Sequence, residues 1–219
     1  MASIVVGGSG RGVGKTALVC GLIAALPEYR WIAVKITSHA HGKAEPVWEE
    51  HEPGADSDTA RYLGAGAIRA LLLIANDLEL PARWRDLQAG LEPGANLIVE
   101  SNRILGRLRP DLCLAVLDEE ESVSGKPSFQ LAARHADAWV ECSLLIRPSN
   151  SVLPSHPFRT KRGEDGAPTN QYLRAESTGA EAPLTSLRGK PIFRLASPGQ
   201  LPPELLAWTR LALRLAPSS

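Results

Sequence analysis

The chain has 219 residues, 44% apolar and 22% charged, an ordinary globular balance with enough length for one full α/β core. Its 24 basic and 24 acidic residues cancel, which leaves no electrostatic footprint for nucleic acid or an anionic membrane, and neither is expected as a partner. No apolar run approaches the roughly 18 residues of a membrane span. The amino end runs straight into a strand with no basic flank or cleavage site, so no signal peptide is expected.

In chain order, apolar runs alternate with helical patterns. The first strand covers about residues 3–8 and ends in Gly7-Gly8. Ser9-Gly10-Arg11-Gly12-Val13-Gly14-Lys15-Thr16 follows, and a helix over about 14–26 carries Ala17, Leu18, Leu22 and Leu26 at helical spacing until Pro27 stops it. A second strand spans Trp31 to Ile36, and a loop rich in His, Gly, Pro and Glu then runs to about residue 55. Asp56 or Ser57 caps a short helix ending at Gly64. Strands at about 67–75, 96–100, 112–117, 137–142 and 192–196 alternate with helices near 81–90, 128–135 and 202–215. Several strands are continuously apolar rather than alternating, which predicts a mostly parallel sheet covered on both faces.

From Arg147 to Lys190 the composition changes. Pro148, Pro154, Pro157, Pro168 and Pro183 stand among many Ser and Gly, so 147–190 reads as an insertion within a single domain 1–219: a lid, a partner-binding arm or a poorly ordered segment. Cys20, Cys113 and Cys142 lie far apart in apolar stretches, with no Cys-x-x-Cys pair, and read as reduced core thiols of a cytoplasmic protein. His39, His41 and His51 lack metal-site spacing and read as solvated loop residues, and His135 reads as structural.

The stretch from Ser9 to Thr16 is the most informative. A buried strand, a glycine-rich turn and Gly-Lys-Thr opening a helix build a phosphate cradle. Backbone groups of Gly10, Arg11, Gly12, Val13, Gly14, Lys15, Thr16 and Ala17 are expected to surround the phosphates. Lys15 would reach the β- and γ-phosphates and the Thr16 hydroxyl would ligate Mg²⁺. The usual pattern is G-x-x-x-x-G-K-S/T, and here Ser9 stands in the first glycine position with Gly8 one residue before it. The expected architecture is a three-layer P-loop NTPase fold with a mostly parallel central sheet.

Ligands of such sheets sit beyond the carboxyl ends of the strands, where the loop, Lys35 and Glu100 all lie. Glu100 ends an apolar strand, and it either binds Mg²⁺ or positions water, or is a surface carboxylate. Asp56 and Asp58 stand at a helix start, where capping competes with a metal role, Asp56 being the stronger metal candidate. Lys35 in a strand either meets a substrate carboxylate or phosphate, or snorkels to solvent.

Three segments resemble the molybdopterin-guanine dinucleotide biosynthesis protein B family (MobB). Pro53-Gly54-Ala55-Asp56-Ser57 with Arg61 and Gly64-Ala65 is similar to its P-G-x-D-S-x-x-x-R-x-x-G-A segment. Val34 to His39 resembles its I-K-H-T-x-H stretch, and Leu97 to Glu100 its L-V-E-G segment. The likeness covers about the first 105 residues. It implies a P-loop protein that binds GTP with slow hydrolysis and assists attachment of GMP to molybdopterin. It also implies docking on a guanylyltransferase partner and a homodimer, with Lys15 and Thr16 on phosphate and Mg²⁺ and with Asp56 and Glu100 near the metal.

The loop departs from that family, whose usual G-x-S-G-S-G-K-T-T lacks the Arg11 and Val13 found here. Val13-Gly14-Lys15-Thr16 instead resembles dethiobiotin synthetase, which also carries a lysine at the position of Lys35. That likeness implies an ATP-dependent ligase acting on a small carboxylate or amine, with Lys15, Lys35 and Glu100 as catalytic groups. No Asn-Lys-x-Asp guanine signature is present. A third reading, a scaffold that has lost nucleotide use, rests on Ser9 alone.

Overall fold

The centre of the fold is built from strands whose sequence is apolar on both faces. The computed structural model describes residues 1–39, 45–117, 127–142, 186–187, 189–197 and 199–215. Strands β1 (Ser3–Gly8), β5 (Leu97–Glu100) and β6 (Leu112–Leu117) are buried at every residue. With β2 (Ile32–Thr37), β3 (Val47–Glu50), β4 (Arg69–Ile74), β7 (Ala138–Cys142), β8 (Ser186–Leu187) and β9 (Lys190–Leu195) they form a sheet in the order β3-β4-β2-β5-β1-β6-β7-β9-β8. All described pairings are parallel except those of β3 with β4 and β8 with β9.

Side chains alternate between the two sheet faces, and each face has its own apolar cluster. Ile4, Val6, Ala33, Ala70, Ile98, Leu114 and Val140 pack beneath α1 (Lys15–Ala25), α2 (Asp58–Gly64) and α5 (Pro203–Leu215). Val5, Val34, Leu71, Val99, Ala115 and Trp139 pack against α3 (Leu80–Ala89) and α4 (Pro127–His135). The result is the three-layer α/β sandwich predicted from the sequence, with a glycine-rich loop joining the central strand β1 to α1. Strand, phosphate-type loop and helix in that order make this a P-loop fold.

Local signals set most boundaries. Pro27 follows α1, and the Ser57 hydroxyl accepts from the Ala60 amide at 3.0 Å to cap α2. Ser3 is tied to Asp111 through backbone and hydroxyl bonds of 2.7 and 2.8 Å, which seats β1 beside β6.

Three points differ from the sequence expectation, and one reading falls outside the described residues. Val47–Glu50, read as loop, is an edge strand; it is short, half exposed and ends in two glutamates, so it carries no alternation that would mark it. Ser186–Leu187 and Lys190 lie in strands rather than in the proline-rich segment, the rest of which falls outside the described residues, apart from Gly189. His135 is exposed at the last residue of α4 rather than part of the core. His41 lies outside the described residues.

Trp139 is fully buried and meets Phe129 edge to face, with centroids 6.3 Å apart. Trp139→Ala is expected to cost about 3–5 kcal/mol and to lower the melting temperature by about 10 °C or more, measured by calorimetry.

Candidate functional site

The loop after β1 is shaped by what its glycines leave out. Gly14 has φ +100° at the N-cap of α1, a conformation that β-carbon residues rarely adopt, and a β-carbon there would lie 2.7 Å from Cys142 Sγ. A β-carbon on Gly8 would lie 2.9 Å from the Lys15 stem, so that glycine lets the lysine fold back along the loop. Lys15 Nζ donates to the Gly10 carbonyl across the loop mouth. No side chain caps α1 and its first turn holds no acid, so its amino end keeps its positive potential for an anion.

Asn102 completes the loop's base. Its Oδ1 accepts from the Gly8 amide at 2.8 Å, and its Nδ2 donates to the Gly8 carbonyl at 2.9 Å. The side chain acts as a short extra strand pairing with the turn. No local pattern in the sequence marks this pairing.

Next to the loop stands a cluster of charges. Glu100 is only 2% exposed. Its carboxylate accepts from the Thr16 hydroxyl at 2.9 Å, from the Tyr62 hydroxyl and from the Lys35 ammonium. Asp58 bonds the same Thr16 hydroxyl at 3.1 Å and the same Lys35 ammonium at 2.9 Å. Lys35 thus meets anions rather than snorkelling free.

Burial works against charge on Lys35 and Asp58, but their mutual attraction and hydrogen bonds prevail. Lys35, also paired to Glu100, is held above the ordinary lysine value, and Asp58 below the usual carboxylate value. Burial, reinforced by the neighbouring Glu100 charge, pushes the Tyr62 hydroxyl well up, so it stays a proton donor.

The threonine hydroxyl carries a single proton, yet it faces carboxylate oxygens on both sides. One of those contacts therefore lacks a proton of its own, and the point is rich in hard oxygen donors. That donor set fits Mg²⁺, which prefers one or two carboxylates with phosphate oxygens and water. Among the described residues no group of three or more His, Cys, Asp or Glu side chains forms a metal cage.

A cavity of about 760 Å³ opens over the loop and the cluster. Gly10, Arg11, Gly12, Gly14, Lys15, Thr16 and Ala17 all line it, as do Lys35 and Glu100. Val13 differs, because its side chain is buried in the apolar cluster under α1, leaving only its backbone to the loop. Asp56 also lies elsewhere. Asp58, two residues on, is the carboxylate bonded to Thr16, while exposed Asp56 faces a neighbouring cavity. A helix starting at Asp58 brings that residue, not Asp56, to Thr16.

Arg61 and Arg103 add cations to the rim, and neither was singled out as a ligand from the sequence. Arg103 Nη1 holds the Ala75 carbonyl and Asp77, each at 2.9 Å, while its buried Nη2 makes no hydrogen bond to any of the described residues. The three cysteines are unbridged, and burial pushes the Cys113 thiol up to about 12.

No protein-family model matches the chain, and no curated protein sequence matches it. Among solved structures, it is similar to the "apo" form of LpxK from Aquifex aeolicus in complex with ATP, at 18% identity and a TM-score of 0.48. The match covers 89% of this chain and 53% of that one, so the chain spans about half the length of the structure it matches. No helix among the described residues is long and apolar enough to cross a membrane.

The Asp58 shift makes a pH prediction. A carboxylate lowered in the folded state stabilises the fold above its ordinary value of about 3.9, and that contribution disappears as pH falls through the folded value. The stability gap between wild type and Asp58→Asn should therefore be wide at pH 7 and should shrink progressively as pH falls below about 4 in urea unfolding. A gap of constant size across that range contradicts the assignment.

Proposed function

We propose that this chain binds a Mg²⁺-nucleoside triphosphate in the loop from Gly8 to Ala17 and turns it over slowly. The observation that carries the reading is the Thr16 hydroxyl, held between Asp58 and Glu100 at the first turn of the helix that follows the glycine loop. Loop amides and the amino end of α1 hold the phosphates, and Lys15 leaves the Gly10 carbonyl to meet them. Thr16, Glu100 and Asp58 hold the ion. Mg²⁺, when bound, neutralises charge on the β- and γ-phosphate oxygens. Lys35, released from part of its carboxylate pairing, places its ammonium beside the terminal phosphoryl group. Tyr62 keeps Glu100 oriented.

The finer reading rests on the family resemblance of residues 34–39, 53–65 and 97–100. It makes the nucleotide GTP and the role that of an accessory protein in molybdopterin guanine dinucleotide synthesis, working with a guanylyltransferase as a homodimer in the cytoplasm. A second reading, an ATP-dependent ligase of the dethiobiotin synthetase type, is favoured by the Lys35 ammonium reaching the phosphate cavity.

Thermal melts with GTP, ATP, GDP and ADP, each with and without Mg²⁺, test both readings. Mg-GTP at about 100 times its dissociation constant should stabilise the fold by about 2.7 kcal/mol, an effect lost in Lys15→Ala. Stabilisation by ATP with GTP ignored would overturn the guanine reading. Lys35→Ala should keep nucleotide affinity and lose turnover by about 10²–10³-fold, measured by phosphate release. Normal binding and turnover in both variants would remove the site assignment.

A further inference from the structure

The hydrogen bonds of the Thr16 cluster close into a ring. Asp58 turns Oδ1 to the Thr16 hydroxyl at 3.1 Å and Oδ2 to the Lys35 ammonium at 2.9 Å. Glu100 divides its oxygens in the same way, Oε2 to Thr16 at 2.9 Å and Oε1 to Lys35. Two carboxylates therefore bridge a hydroxyl on one side and a cation on the other. Strand register builds half of the ring, because Lys35 on β2 pairs with Glu100 on β5 and paired residues share a sheet face. The first turn of α2 completes it with Asp58.

Thr16, Asp58 and Glu100 are also the donor set that fits Mg²⁺. The ammonium holds the second oxygen of each carboxylate. A divalent ion taking all three groups would stand beside a positive charge bound to the same two carboxylates. Like charges on shared partners oppose each other, most strongly where water is excluded, and here the Lys35 side chain is 20% exposed and that of Glu100 2%. Lys35 already supplies the positive charge that these carboxylates need.

The lysine is also built to leave. Its stem is a flexible four-carbon chain, its ammonium has three donors of which the carboxylates take two, and it lines the cavity over the glycine loop. A departing ammonium needs a new anion, and the loop end of that cavity is where a phosphate would arrive.

We propose that Lys35 is the internal counter-ion of the metal site. It holds Asp58 and Glu100 in the nucleotide-free protein, keeps divalent cations out, and gives the carboxylates up when a terminal phosphate takes its ammonium. Metal and triphosphate then enter together, each removing the obstacle to the other, which is positive coupling between two ligands. The proposal rests on the Mg²⁺-nucleotide reading for the group that draws Lys35 away. Exclusion of the ion before nucleotide arrives does not depend on it.

Binding of Mn²⁺ alone to the full chain at pH 7, followed by the electron paramagnetic resonance signal of the unbound ion, tests the exclusion. Lys35→Met should bind Mn²⁺ at least about tenfold more tightly than wild type. Lys35→Arg, which keeps the charge, should bind as weakly as wild type, so that the gain reports the charge and not a disturbed strand. Lys35→Met also leaves two carboxylates without their cation, so it should melt lower, and Mg²⁺ alone should raise its melting temperature again. Adding Asp58→Asn to Lys35→Met should remove that rescue. Where Lys35→Met does not fold without metal, Lys35→Gln, neutral and able to donate to the carboxylates, replaces it in both measurements. Melts with nucleotide read the exchange: Mg²⁺ should add more to the shift with a triphosphate than with a diphosphate in wild type, and this difference should shrink in the neutral variant. Equal Mn²⁺ affinity in wild type and the neutral variant, Lys35→Arg matching the neutral variant, no rescue by Mg²⁺, or an unchanged difference between triphosphate and diphosphate overturns the proposal. The nucleotide reading fails separately, by absence of any melting shift with Mg-GTP or Mg-ATP.

Discussion

A buried carboxylate at the end of a parallel strand must find protons or cations, and Glu100 finds them on three other elements. Thr16 comes from α1, Lys35 from β2 and Tyr62 from α2, while Asp58 at the start of α2 closes the ring through Thr16 and Lys35. One charge therefore sets how the loop helix, the second strand and the short helix meet at the sheet's carboxyl edge. The apolar clusters above and below the sheet hold these elements in place but are indifferent to their chemistry. Glu100 gives the edge its polarity.

Lys15 donates to a loop carbonyl and Lys35 rests between two carboxylates, so each ammonium has a partner within the fold. Each is also within its own side-chain length of the cavity that both line. On the proposed reading, an arriving polyphosphate would take the place of these internal partners. Burial has already stripped much of the water from Lys35 on folding, which would lower what binding a phosphate there has to overcome.

Charge is segregated along the edge. Cations crowd around the glycine loop, and carboxylates gather between β3 and α2, with the Lys35–Asp58 pair at the boundary. In a chain of zero net charge, this separation arises from position alone.

Sequence periodicity determined the parallel sheet, the two covered faces, the loop between β1 and α1 and the place of Lys35 and Glu100 at strand ends. These follow from local pattern: continuous apolar runs, a glycine-rich turn and Pro27 act within a few residues of themselves. Sequence did not determine which aspartate meets Thr16, because the two flank the cap at Ser57, and the position of that cap puts Asp58 in the first turn of α2 and leaves Asp56 before it. Nor did it disclose Asn102 bonding to Gly8, 94 residues away, or the edge strand Val47–Glu50 that brings Trp48 level with Lys35. Those contacts depend on strand register, which is a property of pairs of distant segments and has no signature in either segment alone.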